Sequence, residues 1–301
     1  MIKRTIEISG ADTSLSVHND QLHIRRNGED IGQTPIEDIG VLIVDAPTVS
    51  YTHTTLVRLS EYGAVTVLCG NNHLPAAMVT PLQGNSLLPE RLRLQISVSE
   101  PLRKRIWQEI VREKILNQAA ICEDPIMQAR ILGCAKDVRS GDPQNVEAQA
   151  ARFHWAVYLP ELQFHRGREE EEPNGLLNYG YAIIRAAVAR ALCGAGLHPT
   201  LGVQHANRTN AFALADDLME PLRPLVDHRV RQLWRAGQRE VKRETKAALL
   251  QLLTQTCEMD EQTGPLLVAL ERLAVSYVGR LSGQEKALRI PKYREYFDLP
   301  S

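Results

Sequence analysis

Hydrophobic positions follow two different periods along this chain of 301 residues. In the first part, apolar and polar residues alternate in short runs at 2–8, 15–17 and 22–24, and a continuous apolar run follows at 41–44. Alternation is typical of strands that bury one face, so the alternating runs predict short antiparallel β-strands. The continuous run predicts a strand that is buried on both faces.

Two further elements are predicted before the period changes. Segment 50–62 has the spacing of one amphipathic helix, and Gly63 follows it in a position that commonly ends helices. The apolar runs 64–68 and 76–79 flank a Gly-Asn-Asn turn and predict a hairpin. The first 82 residues are therefore predicted to be rich in β-structure.

Apolar residues then recur every three to four positions almost to the C-terminus, which is the period of α-helices. Helices are predicted at 92–97, 101–120, 126–135, 145–158, 177–195, 211–221, 226–236, 242–256 and 263–282. The predicted fold is a two-domain α+β protein. A small N-terminal β-rich, β-sandwich-like domain (1–82) and a linker (83–90) precede a larger all-α C-terminal domain (91–301).

Composition restricts the possible functions. The formal net charge of −1 gives no general attraction to nucleic acid, so a nucleic-acid surface must come from local basic clusters. The five cysteines contain no CxxC pair, which argues against a zinc site and against a disulfide framework. Neither a signal peptide nor a bilayer-spanning stretch is present in the sequence. We therefore expect a soluble cytoplasmic protein with no membrane partner.

The densest group of candidate ligands lies at 202–227 and contains His205, Asp217 and Glu220. On the predicted helix, Asp217 and Glu220 are three positions apart, so their carboxylates would share one face. Imidazole and carboxylates suit a divalent cation such as Mg²⁺ or Mn²⁺. Acidic residues in a first helical turn are also favoured by the helix dipole. The metal interpretation therefore needs a further ligand from elsewhere in the chain.

Glu147 is a candidate for that further ligand. It lies in the first turn of the helix predicted at 145–158, among alanines that would allow another helix to approach closely. The alternative is that Glu147 only stabilises the N-terminus of its own helix. The residues by themselves leave both interpretations open.

Three motifs occur together in one order: Glu147 followed by AQAARFHWAVYLP, then LNYGYAIIR at 177–185, then His205 ahead of DLMEP at 217–221. In this combination the chain resembles the CRISPR-associated spacer-acquisition integrases, and most closely their type II branch. The resemblance extends over essentially the whole chain, including its β-then-α organisation. Gln204 and Leu222 depart from the usual pattern without touching the candidate ligands.

The resemblance implies a single divalent-metal site, for Mg²⁺ or Mn²⁺, made by Glu147, His205 and Glu220. Asp217 would lie close by as a fourth catalytic residue, and Asn178 and Tyr179 would belong to a neighbouring helix that frames the site. The resemblance also implies a homodimer formed through the β-rich domain. The implied partners are double-stranded DNA (protospacer and CRISPR repeat), a smaller CRISPR-associated adaptation protein and, in this branch, the type II effector nuclease.

The implied reaction is the insertion of protospacer DNA into the repeat array, in which a DNA 3′-hydroxyl attacks a phosphodiester. Negative charge accumulates on the phosphate and the leaving oxygen, and a bound divalent cation would neutralise it. A non-catalytic scaffold that bridges DNA ends is the alternative. A hydrolase of small phosphoesters is a third possibility, although it would favour a compact pocket over extended basic faces.

Candidate DNA contacts fall into two classes. Arg208 and Arg223 lie beside the predicted ligands, where a guanidinium could pair with a phosphate or form an internal salt bridge. Two basic clusters, at 91–114 and 229–246, supply Lys104, Arg105, Arg231 and Arg235. Acidic residues alternate with the basic ones in both clusters, which is also typical of ordinary solvated helix faces.

Overall fold

The computed structural model describes residues 3–71, 75–81, 87–162, 164, 166–167, 173–205 and 209–293. A strand-rich N-terminal region precedes a helical C-terminal region, so the predicted α+β organisation is confirmed. None of the helices in these ranges is long and apolar enough to cross a membrane.

The N-terminal region contains eight strands and one α-helix among the described residues. They are β1 (Arg4–Ile8), β2 (Thr13–His18), β3 (Gln21–Arg26), β4 (Glu29–Pro35), β5 (Ile39–Val44), β6 (Val49–Tyr51), α1 (His53–Glu61), β7 (Val65–Cys69) and β8 (Pro75–Val79). One sheet has the order β1-β5-β7-β8 and a second has the order β4-β3-β2-β6. The helix predicted at 50–62 begins three residues later, because the chain first pairs as β6.

The strand directions differ from the prediction in one respect. β2 and β3 are antiparallel, and β7 and β8 form the predicted hairpin. By contrast, within the first sheet β1 runs parallel to β5, and β5 runs parallel to β7. The expectation that the run 2–8 is part of an antiparallel set is therefore wrong. Parallel strands need a long crossover, and α1 is that crossover between β5 and β7.

The two sheets share an apolar cluster. Ile8 and Leu42 of the first sheet, Leu15 and Leu22 of the second, and Leu59 of α1 are all almost completely buried in it. The opposite face of the first sheet contributes Val41, Ile43, Val65 and Val67 to the core of the helical region. The first sheet therefore joins the two regions.

The helical region contains α2 (Leu88–Ile96), α3 (Glu100–Ala120), α4 (Pro125–Asp137), α5 (Val146–Ala156), α6 (Asn174–Gly194), α7 (Ala213–Met219), α8 (Arg223–Arg235), α9 (Arg243–Leu250) and α10 (Leu266–Leu281). α6 is buried along almost its whole length, as expected for a helix that is hydrophobic on all sides. Because α2 begins at Leu88, the end of the predicted linker is helical, and residues 82–86 lie outside the described ranges.

A short hairpin interrupts the helical region and corrects the all-α prediction. β9 (Thr256–Met259) and β10 (Gln262–Pro265) pair antiparallel across the break between the helices predicted at 242–256 and 263–282, and β10 replaces the start of the second helix. Asp260 and Glu261 form the turn with φ of 55° and 61°. Such turns usually contain Asn-Gly or Asp-Gly, so the sequence carries little of the usual hairpin signal here.

Candidate functional site

Glu147 is positioned by a cap at the start of α5. The Asp142 carboxylate accepts hydrogen bonds from the backbone N–H groups of Val146 (2.9 Å) and Glu147 (3.0 Å). Asn145, just before the helix, has the left-handed φ of 52°. Capping by an Asp side chain satisfies the otherwise unpaired N–H groups of a first turn. The backbone of Glu147 is thereby held firmly while its side chain projects from the helix.

Glu220 lies just beyond the helix on which it was predicted. α7 ends at Met219, and Glu220 opens a 3₁₀ turn over Glu220–Leu222 that contains Pro221. The Pro221 carbonyl accepts hydrogen bonds from Asn117 of α3 (2.8 Å) and from the buried hydroxyl of Tyr293 (2.5 Å). Neither of these supports was predicted, and together they anchor the turn that carries Glu220.

The ammonium of Lys114 lies between the two glutamates. Its Nζ is 2.5 Å from Glu147 Oε1 and 2.5 Å from Glu220 Oε2. The two carboxylates therefore approach within at most twice that distance of each other. Lys114 is almost completely buried, and although burial lowers its pKa, the charges of Glu220 and Glu147 outweigh that effect and raise it. The lysine is consequently charged.

Glu220 has a second cationic partner in Arg223. Arg223 donates from Nε to Glu220 Oε1 (2.8 Å), and its guanidinium stacks over the Tyr181 ring, 4.7 Å from the centroid. Burial opposes ionisation of Glu220, but the charges of Arg223 and Lys114 and their hydrogen bonds lower its pKa to about 2. Glu220 is therefore an anion and not a proton donor at neutral pH.

His205 is held by Asp217. The fully buried Asp217 carboxylate pairs with His205 Nδ1 and accepts hydrogen bonds from the backbone N–H groups of Val203 (2.5 Å) and Gln204 (2.9 Å). The imidazole, which is 47% exposed, also meets the edge of Trp107 at 5.9 Å between ring centroids. Because Nδ1 is engaged, Nε2 is the nitrogen that can bind a ligand.

The charges of three acids affect the pKa of His205. The hydrogen bond that His205 donates to Asp217 raises this pKa most, burial opposes the rise, and the charges of Asp217, Glu220 and Glu147 add to it. His205 therefore lies within the field of both glutamates. Asp217 and Glu220, however, have different partners, because Asp217 faces the 203–205 loop while Glu220 faces α3. The α-helix ends at Met219, but Glu220 continues in right-handed helical backbone (φ −50°, ψ −44°), so the sharing of one face stays a prediction.

The oxygen donors of Glu147 and Glu220 and the ring nitrogen of His205 suit a hard divalent cation if Lys114 moves away from the two carboxylates. Within the described ranges, no three His, Cys, Asp or Glu side chains stand close enough together to hold a metal ion. The ammonium of Lys114 lies between Glu147 and Glu220. Mg²⁺ and Mn²⁺ accept carboxylate and imidazole ligands. Glu147 and Glu220 supply two carboxylates, and His205 supplies the Nε2 nitrogen.

Lys114 was grouped with surface bases in the sequence, although a signal for its burial was present. α3 buries Trp107, Ile110 and Val111, and Lys114 continues this stripe at helical spacing. A lysine on the apolar stripe of a helix requires a buried partner. The identity of the partner could not be read from the spacing.

A polar pocket adjoins Glu220 through Arg223. It encloses about 280 Å³ and is lined by Arg166, Asn178, Tyr181, Ala182, Arg185, Asp216, Met219 and Arg223. Asn178 accepts a hydrogen bond from Arg166 (2.6 Å). Tyr179 instead lies beside Lys246 of α9, whose Nζ is 5.6 Å from the centroid of the Tyr179 ring. Adjacent residues of a helix point in different directions, so Asn178 and Tyr179 have different surroundings although both belong to α6.

The other residues predicted to contact DNA differ in how exposed their side chains are. Lys104 and Arg105 are exposed on α3. Arg235 forms two hydrogen bonds of 2.7 Å with Glu123 and is partly exposed. Arg231 is buried and donates to the Ile121 carbonyl (2.6 Å), which argues against its contacting DNA. Arg208 lies outside the described residues.

The chain is similar to known proteins over most of its length. The model of the family described as CRISPR associated protein Cas1 matches residues 6–257. The chain is 37% identical over 284 residues to the "CRISPR-associated endonuclease Cas1" of Neisseria meningitidis serogroup C (strain 8013), which covers 92% of each protein. It is 26% identical over 244 residues to "CRISPR-associated endonuclease Cas1 2" of Saccharolobus solfataricus, covering 78% of this chain and 76% of the relative.

Solved structures share the fold. A casposase bound to its integration product superposes with a TM-score of 0.79 at 18% identity, over 95% of this chain and 92% of the other. A Cas1 protein from Thermotoga maritima gives a TM-score of 0.72 at 14% identity, over 95% and 99% of the two chains. The likeness thus extends across both the strand-rich and the helical regions.

Proposed function

Because the chain belongs to the family of CRISPR-associated Cas1 proteins, we propose that it is a metal-dependent DNA integrase and endonuclease of CRISPR adaptation. It would insert protospacer DNA into the repeat array by attack of a 3′-hydroxyl on a phosphodiester. The observation that carries the proposal is that Glu147 and Glu220 both contact the ammonium of Lys114, and that their charges act on His205. The relatives named as endonucleases and the fold shared with a casposase support it.

Glu147, Glu220 and His205 would hold the cation, Mg²⁺ or Mn²⁺. The metal would supply Lewis-acid stabilisation of the charge that develops on the phosphate and the leaving oxygen. Asp217 orients the imidazole through Nδ1, so that Nε2 is presented as the ligand. Arg223, with Arg166 and Arg185 of the adjoining pocket, presents guanidinium groups that suit the phosphates of a DNA strand.

The non-catalytic scaffold is less well supported. A protein that only bridges DNA has no need to bury a carboxylate such as that of Glu220, since a buried anion costs free energy unless it is paired. Glu220 is buried here and pairs with Lys114, which is also buried, and with Arg223, whose side chain is 25% exposed. A site of this construction is typical of chemistry that needs a cation.

Partners and organisation follow the same proposal. We infer a homodimer formed through a β-sandwich-like N-terminal domain (1–82), a separate catalytic domain (91–301), and assembly with a smaller Cas protein and the type II effector nuclease. A solved structure with this fold is a Cas6-RT-Cas1–Cas2 complex, in which the likeness covers 96% of this chain. The cytoplasm is the compartment in which the repeat array would be available.

Strand transfer is the direct test of the proposal. The purified chain, with and without its smaller Cas partner, is given a labelled duplex with free 3′-hydroxyl ends and a plasmid bearing the repeat. We expect joined product in Mg²⁺ or Mn²⁺ and none after chelation. DNA binding without joining under every metal condition would favour the scaffold instead.

Asp217→Asn tests the orientation of His205. The amide would present an N–H group to backbone donors of the 203–205 loop, and the imidazole would lose its carboxylate partner. We expect strand transfer to fall by about 10- to 100-fold, the usual effect of removing a carboxylate that orients a metal-binding histidine. Single-turnover joining rates measure it, with the exposed Asp137→Asn as the control. Wild-type rates for a folded Asp217→Asn protein would reject the orienting role.

Arg105→Glu tests the exposed basic face of α3. Losing one phosphate contact should weaken duplex binding and reduce the slope of log affinity against log salt concentration by about one unit. Arg25→Glu on the N-terminal sheet is the control, since Arg25 is also exposed but pairs with Asp30. Fluorescence anisotropy at several salt concentrations measures both quantities. An unchanged slope would remove Arg105 from the DNA surface.

A further inference from the structure

Lys114 occupies the place between the two carboxylates that the proposed function gives to the metal. Its Nζ contacts Glu147 and Glu220 at equal distances, and its side chain is only 11% exposed. Glu147 belongs to α5 and Glu220 to the 3₁₀ turn after α7, while Lys114 comes from α3. The lysine therefore contacts acids from two other elements at the site.

The charges at this point are balanced without any metal. Two carboxylates, Glu147 and Glu220, face two cations, Lys114 and Arg223. A divalent cation added to this set would leave an excess of two positive charges in a largely buried space, which is costly. Its position would also overlap that of the ammonium. Exchange of Lys114 for the metal reduces the excess to one positive charge and removes the overlap.

We propose that Lys114 is a built-in counter-ion that competes with the metal for Glu147 and Glu220. The ammonium holds the two acids together when no metal is bound, and the metal binds by displacing it. This inference rests on the proposed function and adds to it a residue that sets the metal affinity of the site. Because the lysine must give up two ion pairs, the affinity of the native site is lower than that of the bare carboxylate pair.

Lys114→Met and Lys114→Gln test the competition. Methionine fills a similar volume without charge, and glutamine retains an N–H donor for one carboxylate in case the methionine variant folds poorly. We expect both chelator-treated variants to unfold at a lower temperature than the wild type, because the two acids then repel each other. We also expect both variants to bind Mn²⁺ about tenfold more tightly, since no buried ion pair has to be broken.

Isothermal titration of the full-length chain with Mn²⁺, without DNA, measures the affinity, and thermal unfolding with and without Mn²⁺ measures the stabilisation. Lys104→Met is the matched control, because it breaks an exposed lysine–glutamate pair on the same helix. Its Mn²⁺ affinity should equal that of the wild type.

Two results overturn the inference in distinguishable ways. If both Lys114 variants bind Mn²⁺ no more tightly than the wild type, while Glu147→Gln abolishes wild-type binding, the metal site stands and the competition is rejected. If Glu147→Gln leaves Mn²⁺ binding unchanged, or the wild type binds none, the proposed metal site itself fails and the role of Lys114 fails with it.

Discussion

His205→Ala is expected to lower the rate of strand transfer about a thousand-fold, because a lost metal ligand removes several kcal/mol of transition-state stabilisation. The imidazole is half-exposed, so its removal leaves little cavity and the fold should remain intact. Asp217 keeps its hydrogen bonds from the Val203 and Gln204 backbone, so the loop should retain its path. Single-turnover joining of a labelled duplex to a repeat-bearing plasmid measures the rate.

His53→Ala is the matched control, since His53 is an exposed histidine at the start of α1, far along the chain from the site. Its joining rate should equal that of the wild type. Urea unfolding of both variants separates a loss of chemistry from a loss of fold. A His205→Ala protein that is folded and joins DNA at the wild-type rate would exclude His205 from the metal site.

Lys246→Met is expected to lower the free energy of unfolding by about 3–5 kcal/mol, the usual effect of breaking a buried ion pair by removing one partner. Lys246 of α9 pairs with Asp45, which follows β5, and both side chains are almost completely buried. The ammonium also lies 5.6 Å from the centroid of the Tyr179 ring. Asp45 would be left as a buried charge without its lysine. Urea denaturation followed by circular dichroism measures the change.

Two further variants make this test specific. Lys242→Met removes an exposed lysine that pairs with Glu240, and it should change the stability little. The double variant Asp45→Leu with Lys246→Met removes both charges and should recover much of the loss. A Lys246→Met protein as stable as the wild type would show that the pair does not hold the strand-rich and helical regions together.

The spacing of hydrophobic residues predicted most helices and strands, because buried side chains recur at the repeat of the helix or strand that carries them. The predicted hairpin at β7 and β8 is confirmed, and α3 begins and ends within one residue of its predicted bounds. The hairpin of β9 and β10 was missed, since its turn uses Asp260 and Glu261 and not a glycine. The parallel pairing of β1 with β5 was missed as well, because alternation along one strand carries no information about the direction of its neighbour.

The sequence alone identified the family and predicted Glu147, His205 and Glu220 as metal ligands. These residues lie in short motifs that can be recognised without knowing which residues are close in space. Only the tertiary structure decided which charges are paired. Lys114 and Arg231 read equally as surface bases in the sequence, yet one bridges two glutamates and the other is buried against the Ile121 carbonyl. Lys114 and Glu220 are 106 positions apart. Burial and pairing depend on such distant elements meeting, and no local pattern records that meeting.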